Sequence, residues 1–345
     1  MYIGKRNLDF FHPYIVAVSI IVFLLMGYAG SFNYRFSDPL NFHTIAYTLI
    51  AAAVFSVGVA VVRFKKTFSY DFTLRESYIL IAAVAALILQ SLNMFLLGGI
   101  PLFDSQLKAG ATTNLWRIAY PLFLISINLL IAKHYKRRYV YVVLAGALIF
   151  AFNGYRTSLL AILSSVFINL YYQNRISKKF SLVFMALIII ALLVLGYIAS
   201  QSIAGQHWTL NPVELIFYRA AFTLEVFEKI IPLQASTHGQ ILSMIFSPGS
   251  PRTFIGNYVL HYNVCLTSTM FGPVMLDFGF PGLLCQMFIM GVFLSVMHKV
   301  KKGFGVGIYS MILAHTLIWI ETGPTDIMIW FLYLIALIYI IKAII

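Results

Sequence analysis

The stretch KHYKRRYVYVVLAGALIFAFNGYRTSLLAILSSVFINLYYQNRISKK, residues 133–179, decides how the chain is read. Basic clusters stand at both ends (Lys133, Lys136, Arg137 and Arg138; Arg175, Lys178 and Lys179), and two apolar legs between them fold back at Asn153-Gly154-Tyr155-Arg156. A membrane-spanning helix takes about 20 apolar residues to cross a ~30 Å hydrocarbon core. The 36 residues between Arg138 and Arg175 leave roughly 17 per leg, or ~26 Å of helix at 1.5 Å per residue. Such a hairpin returns both basic clusters to one side and recesses its turn, with Arg156 at headgroup or acyl depth.

Working outward, ten apolar segments are expected to span, near residues 12–32, 42–63, 78–98, 114–132, 139–153, 157–172, 180–200, 278–298, 304–321 and 326–343. With both termini cytoplasmic, the inner loops carry 17 Lys/Arg against 3 acids, and the outer side carries 7 against 8. That is the positive-inside rule obeyed at every loop. The chain is therefore expected to be an all-α, polytopic protein of the cell membrane, a single membrane domain with one long extracytoplasmic loop over residues 201–277. Its 61% hydrophobic and 10% charged residues and mean hydropathy of +0.89 exclude a soluble globule, whose charged fraction is near a quarter. The first apolar segment follows Lys5 and Arg6 but lacks a small-residue cleavage site, so it reads as a retained span.

Composition also narrows the chemistry. The Lys/Arg clusters flank spans on one side, which makes them topology signals that favour anionic lipid and not a nucleic-acid surface. Cys265 and Cys285 form no CxxC pattern, and no GxxxxGK[ST], GxGxxG or DxD-like pair occurs. Neither a metal nor a nucleotide cofactor is expected.

Arginines outside, where topology does not ask for them, are the residues to explain. Arg156 in the recessed turn either snorkels from a helix end or meets a phosphate. Within 201–277, Asn211 as N-cap with Pro212 at the first position predicts a helix over 212–231. At 100° per residue, Glu214, Tyr218, Ala221, Glu225 and Glu228 share one face of it. Arg219 falls with Ile216, Thr223, Val226 and Ile230, aimed either at lipid phosphate or at an anion in a cavity. Arg252, in Ser247-Pro248-Gly249-Ser250-Pro251-Arg252, is expected on a rigid non-helical turn, facing an oxyanion or else Glu225 or Glu228. Guanidinium binds phosphate bidentately and stays charged, so three convergent arginines would make a diphosphate site. For a general base the best-placed groups are Asp277, at the mouth of a span after Thr267-Ser268-Thr269, and His261 in Tyr258-Val259-Leu260-His261. His238, His315 and Glu321 are weaker candidates, the last two able to share a cavity. Trp208, Tyr218, Tyr258 and Tyr262 are candidates for stacking on sugars or for an interfacial aromatic belt.

Three motifs in order, Gly98-Gly99-Ile100-Pro101-Leu102-Phe103, Asn153-Gly154-Tyr155-Arg156-Thr157-Ser158 and the Thr267 to Gly282 stretch, together with the late outer loop, resemble the O-antigen polymerase (Wzy-like) family of oligosaccharide repeat-unit polymerases. The resemblance implies a glycosyltransferase whose donor is an oligosaccharide on a polyprenyl diphosphate, acting on the outer face within the membrane lipid, with a flippase and a chain-length regulator as further partners. Outer-loop arginines would then contact the diphosphate, and Arg156, Arg219 and Arg252 are the matching kind of residue. His261 and Asp277 come from the residues alone. The rival readings are an O-antigen ligase-like glycosyltransferase and a flippase or transporter of lipid-linked oligosaccharide.

Overall fold

A computed structural model describes residues 9–33, 35–63, 70, 73–176, 183, 190, 194, 210–247 and 250–344. Among them every regular element is a helix: α1 (Tyr14–Gly30), α2 (Phe42–Val61), α3 (Glu76–Leu96), α4 (Ser105–Gly110), α5 (Asn114–His134), α6 (Tyr139–Ala151), α7 (Arg156–Tyr172), α8 (Pro212–Ile230), α9 (Gln240–Ile245), α10 (Pro251–Leu260), α11 (Gly272–Lys299), α12 (Phe304–Thr322) and α13 (Ile327–Ile344), with a 3₁₀ turn at Ile231–Leu233. Six of these, α2, α3, α5, α11, α12 and α13, are long and apolar enough to cross a membrane, and α1 and α6 are shorter apolar helices. The protein is a polytopic all-α membrane protein. The apolar segment expected at 180–200 lies outside the described residues except for Val183, Ile190 and Val194, and Trp208 lies outside them too.

α12 is the axis of the bundle. Nearly all of its residues are buried, and it packs against α1, α5, α7, α11 and α13. Backbones come together where side chains are absent. At the α2–α11 crossing a Cβ on Gly58 would sit 2.3 Å from the Phe288 carbonyl oxygen, and one on Gly291 would sit 2.2 Å from that of Phe55. Small residues serve membrane helices in this way because lipid offers no hydrophobic drive to associate. Amides supply the other adhesive: Asn128 Nδ2 donates to Ser165 Oγ at 2.8 Å, Asn169 Nδ2 to the Asn128 carbonyl at 2.8 Å, and Gln173 Nε2 to the Ile131 carbonyl at 2.8 Å, tying α5 to α7.

Part of the long segment expected outside the membrane, α8, packs into the wall of the bundle. α8 lies along α1, with Gly27 against Ala220 and Leu224 and Gly30 against Phe217 and Ala221. Small residues on both helices permit that approach. α11 starts at Gly272, six residues before the expected span, because DFGFPG carries the chain through a kink: Gly279 has φ 64° and ψ −159°, and Pro281 follows.

Opposite ends of the bundle differ in chemistry. One end gathers the basic clusters: Lys136 and Arg138 pair with Glu76, and Lys301 lies 4.6 Å from the centre of the Tyr172 ring. There Asp9 joins the start of the chain to its last third, accepting from the Tyr172 hydroxyl at 2.8 Å and meeting His298 Nε2 at 2.8 Å and Lys301 Nζ at 3.7 Å. Burial opposes ionisation of Asp9. The His298 hydrogen bond, the Lys301 charge and the Tyr172 hydroxyl outweigh it and hold the carboxyl down at about 2, against an ordinary 3.8. Burial pushes the Lys301 ammonium down to about 8, with Asp9 resisting and Lys299 adding to the fall.

Two outcomes follow for stability in detergent. Gly291→Ala should cost about 1–3 kcal/mol through overpacking, and so lower the melting temperature, while Gly110→Ala, where a Cβ meets nothing within 4 Å, should leave packing undisturbed. Equal melting of the two variants would refute the close crossing. Asp9→Asn should melt below wild type at neutral pH. Because the folded carboxyl titrates below the unfolded one, that difference should close as pH falls from about 4 towards 2, and a deficit that ignores pH would count against the assigned contacts.

Candidate active site

At the end of the bundle away from the basic clusters, local sequence fixes each charged side chain. Tyr155 precedes α7 in extended conformation, so Arg156 occupies the first helical position, and Gly154, at φ 76°, makes the turn that delivers it. The 101–108 segment lies over this turn: Leu102 N–H donates to the Phe152 carbonyl at 2.9 Å and the Tyr155 hydroxyl to the Lys108 carbonyl at 2.9 Å. Asp104 caps α4, which carries Lys108. α8 starts with a full capping box, Asn211 with Glu214, and with Pro212 in the first turn. Arg219 follows two turns on.

Arg252 does not sit on a non-helical turn. Ser250 accepts from the Thr253 N–H and Pro251 opens α10, so Ser-Pro acts as N-cap and first position, and Arg252 lies in the first helical turn. Its Nε donates to Thr325 Oγ1 at 2.8 Å. Neither glutamate suggested for it is the partner: Glu228 accepts from the Asn41 N–H at 2.9 Å and Thr44 Oγ1 at 3.0 Å, and Glu225 pairs with Lys229 at 3.0 Å.

Arg219 meets Glu321 near the end of the central helix α12. Arg219 Nη2 lies 3.0 Å from Glu321 Oε1, the two side chains being 36% and 38% exposed, and the charges of Arg156 and Arg252 also bear on this carboxylate. Arg156, Arg219 and Glu321 line one cavity of about 210 Å³, whose apolar wall is Phe23 and Met26 of α1 and Ile216 and Ala220 of α8. Volume of this order holds roughly seven waters at ~30 Å³ each. Lys108 adds a fourth cation: burial, then the charges of Arg156 and Arg219, push its ammonium pKa down. The charges of three arginines thus bear on one carboxylate, and Arg219 Nε is buried with no partner. Positive charge in such excess favours an anion of more than one charge.

The two residues expected as bases stand apart from this wall. Asp277 is 3% exposed, and its oxygens are taken by Thr237 Oγ1 at 2.6 Å, Ile241 N–H at 3.0 Å and Leu242 N–H at 2.8 Å. It fastens the start of α9 to α11, with three of its roughly four acceptor positions engaged. His261 is exposed in left-handed conformation at the C-terminal end of α10. It is nine residues from Arg252, or ~14 Å along a helix. His238 is exposed beyond α8, and buried His315 lies 3.0 Å from the Tyr120 hydroxyl. Of the aromatic candidates, Tyr218 lies beside Phe36 and Phe222, Tyr258 stacks on Phe254, and Tyr262 is exposed.

Lys108 and Tyr155 escaped the sequence reading. Lys108 is among the seven basic residues on the non-cytoplasmic side of the expected topology and so carried the same signal as the arginines. Among the described residues no three His, Cys, Asp or Glu side chains gather as a metal-holding group. If Asp277 is a fastener, Asp277→Ala should speed hydrogen exchange at the Ile241 and Leu242 amides by losing charged hydrogen bonds worth about 1.5–3 kcal/mol each. Asp277→Asn should restore part of the protection, and unchanged exchange in both would refute the role.

Comparison with known proteins places the chain in a family. A sequence model described as "Putative O-antigen polymerase" matches residues 9–333. The uncharacterized protein MJ0420 of Methanocaldococcus jannaschii is 29% identical over 324 residues, covering 94% of this chain and 77% of its own. The uncharacterized protein MJ0419 of the same organism is 29% identical over 273 residues, covering 76% of this chain and 75% of its own. No solved structure matches. With nearly its whole length matched, the chain belongs to the O-antigen polymerase family.

Proposed function

We propose that the protein joins lipid-linked oligosaccharide repeat units into a surface polysaccharide, taking each glycosyl group from a polyprenyl diphosphate at the end of the bundle where the arginines meet. On this reading that end faces away from the cytoplasm, since the basic clusters lie at the other. Family membership supplies the polymerase-like role and the glycosyltransferase class. The observation that carries the finer reading is the cavity bounded by Arg156, Arg219 and Glu321, cationic on one side and apolar on the other, as suits a phosphate group attached to a hydrocarbon chain.

The chemistry balances without another reactant. A hydroxyl oxygen of one repeat unit bonds to the anomeric carbon of the other. The carbon–oxygen bond to phosphate breaks, and its electron pair leaves on the diphosphate. Arg156, Arg219 and Arg252, fixed before the reaction, stabilise that departing charge, the largest single contribution in many enzymes. The hydroxyl proton passes to a carboxylate, and Glu321 is the one on the cavity wall. His261 and Asp277, expected in that part, lie off the wall. A flippase that supplies donors and a regulator of chain length are the partners this reading calls for.

A transporter would be expected to hold charged groups near the bilayer midplane. Here, among the described residues, Lys, Arg, Asp and Glu fall within the first or last two turns of the apolar helices. The deciding test is the ladder of glycan on lipid carrier in cells with wild-type protein, with the gene deleted, and with Arg156→Lys. Deletion should collapse long chains to single units, and Arg156→Lys should cut extension by roughly 10²–10³, as loss of one preorganised donor does. Full activity in the lysine variant would reduce Arg156 to a snorkelling residue. Failure of single units to reach the outer face on deletion would make the protein a transporter, and single transfers without a ladder in wild type would make it ligase-like.

A further inference from the structure

The Arg219–Glu321 pair is unusual for its setting. Ion pairs that serve only stability bring charges of opposite sign into balance, whereas the charges of Arg156, Arg219 and Arg252 all bear on this one carboxylate. Arg219 is also only partly used: Nη2 meets Glu321 at 3.0 Å, while Nε is buried with no acceptor. Guanidinium presents Nε and an Nη as one fork, the geometry that takes a carboxylate or phosphate by two parallel bonds. With only an Nη engaged, the contact is half of what Arg219 can make.

We propose that Glu321 is a displaceable stand-in for phosphate: it holds Arg219 while the cavity is empty and gives it up when an anion with more charge and a full fork of oxygens arrives. The inference rests on the reading of the cavity as a diphosphate site and adds how that site is kept in the absence of substrate. Cations that would otherwise repel one another stay gathered on an internal anion. When Arg219 leaves, Glu321 remains on the wall beside the departing group, unpaired and able to receive the acceptor's proton. The resting pair therefore sets the affinity for the diphosphate, because an apparent affinity falls in proportion to the fraction of molecules whose binding group is free.

Inorganic pyrophosphate binding to the detergent-solubilised protein, followed by calorimetric titration, tests this. Glu321→Gln should bind about tenfold more tightly, the change expected if Arg219 is free in roughly one resting molecule in ten. Removing a carboxylate also raises the net positive charge, so the same substitution is made on Arg219→Ala. There the gain should vanish. Glu321→Asp keeps the charge but withdraws the carboxylate by one methylene, and it should tighten binding by a smaller factor. It carries the test if the glutamine variant does not fold.

An unchanged or weaker affinity in Glu321→Gln and Glu321→Asp would overturn the stand-in, leaving an ordinary structural pair. An equal gain with and without Arg219 would overturn it as well, showing a general charge effect. Should wild type bind no pyrophosphate, or should Arg156→Ala bind it as wild type does, the diphosphate reading of the cavity falls and this inference with it.

Discussion

Close approach of α8 to α1 is the constraint on which the rest of this molecule depends. Gly30 would place a Cβ 2.2 Å from the Phe217 carbonyl oxygen, so only a hydrogen there lets the two backbones meet. Without that contact the segment after residue 210 would lie over the bundle as a cover. With it, α8 is built into the wall, and Arg219 reaches the end of α12. The cavity exists because one helix of a long connecting segment is treated as part of the bundle.

Low dielectric gives this placement its force. A guanidinium in a partly buried recess has few waters to screen it, and its interactions reach further and act more strongly than at an open surface. Arg156, Arg219 and Glu321 line the recess, with Phe23, Met26 and Ile216 on the facing side. Charge excess and an apolar wall together describe a chemical preference more narrowly than either does alone. At the other end, Asp9 is outnumbered in a different manner: its neighbours His298, Lys301 and Tyr172 all donate to or surround one carboxylate, which satisfies it and leaves no surplus seeking a ligand.

Helical class and membrane character were legible in the sequence because both rest on a local regularity, apolar runs of helical length. The start of α8 was legible for the same reason, since Asn211, Pro212 and Glu214 are a complete capping signal. The three arginines could be picked out as misplaced charges, yet the partner of Arg219 could not: Glu321 is 102 residues away, and no periodicity reports a contact of that range. A carboxylate at a helix mouth looks the same in sequence whether its oxygens face a cavity or, as those of Asp277 do, the N–H groups of Ile241 and Leu242. Arg252 misled through its prolines. Pro251 after Ser250 starts a helix, and a reading of Pro and Gly as turn formers took that start for a break.

The ties at the two ends of the bundle share a further property. Asp9 finds its partners at Tyr172, His298 and Lys301, and Arg219 finds Glu321 in the next-to-last helix. Both contacts close loops of a hundred to nearly three hundred residues, and contacts of such sequence separation form late, after local helices and hairpins are in place. Helices α1 to α7 can therefore enter the bilayer and pair as they emerge during synthesis, but the cavity has no floor until α12 arrives. The order of translation itself keeps the nascent chain from presenting a finished pocket before its assembly is complete.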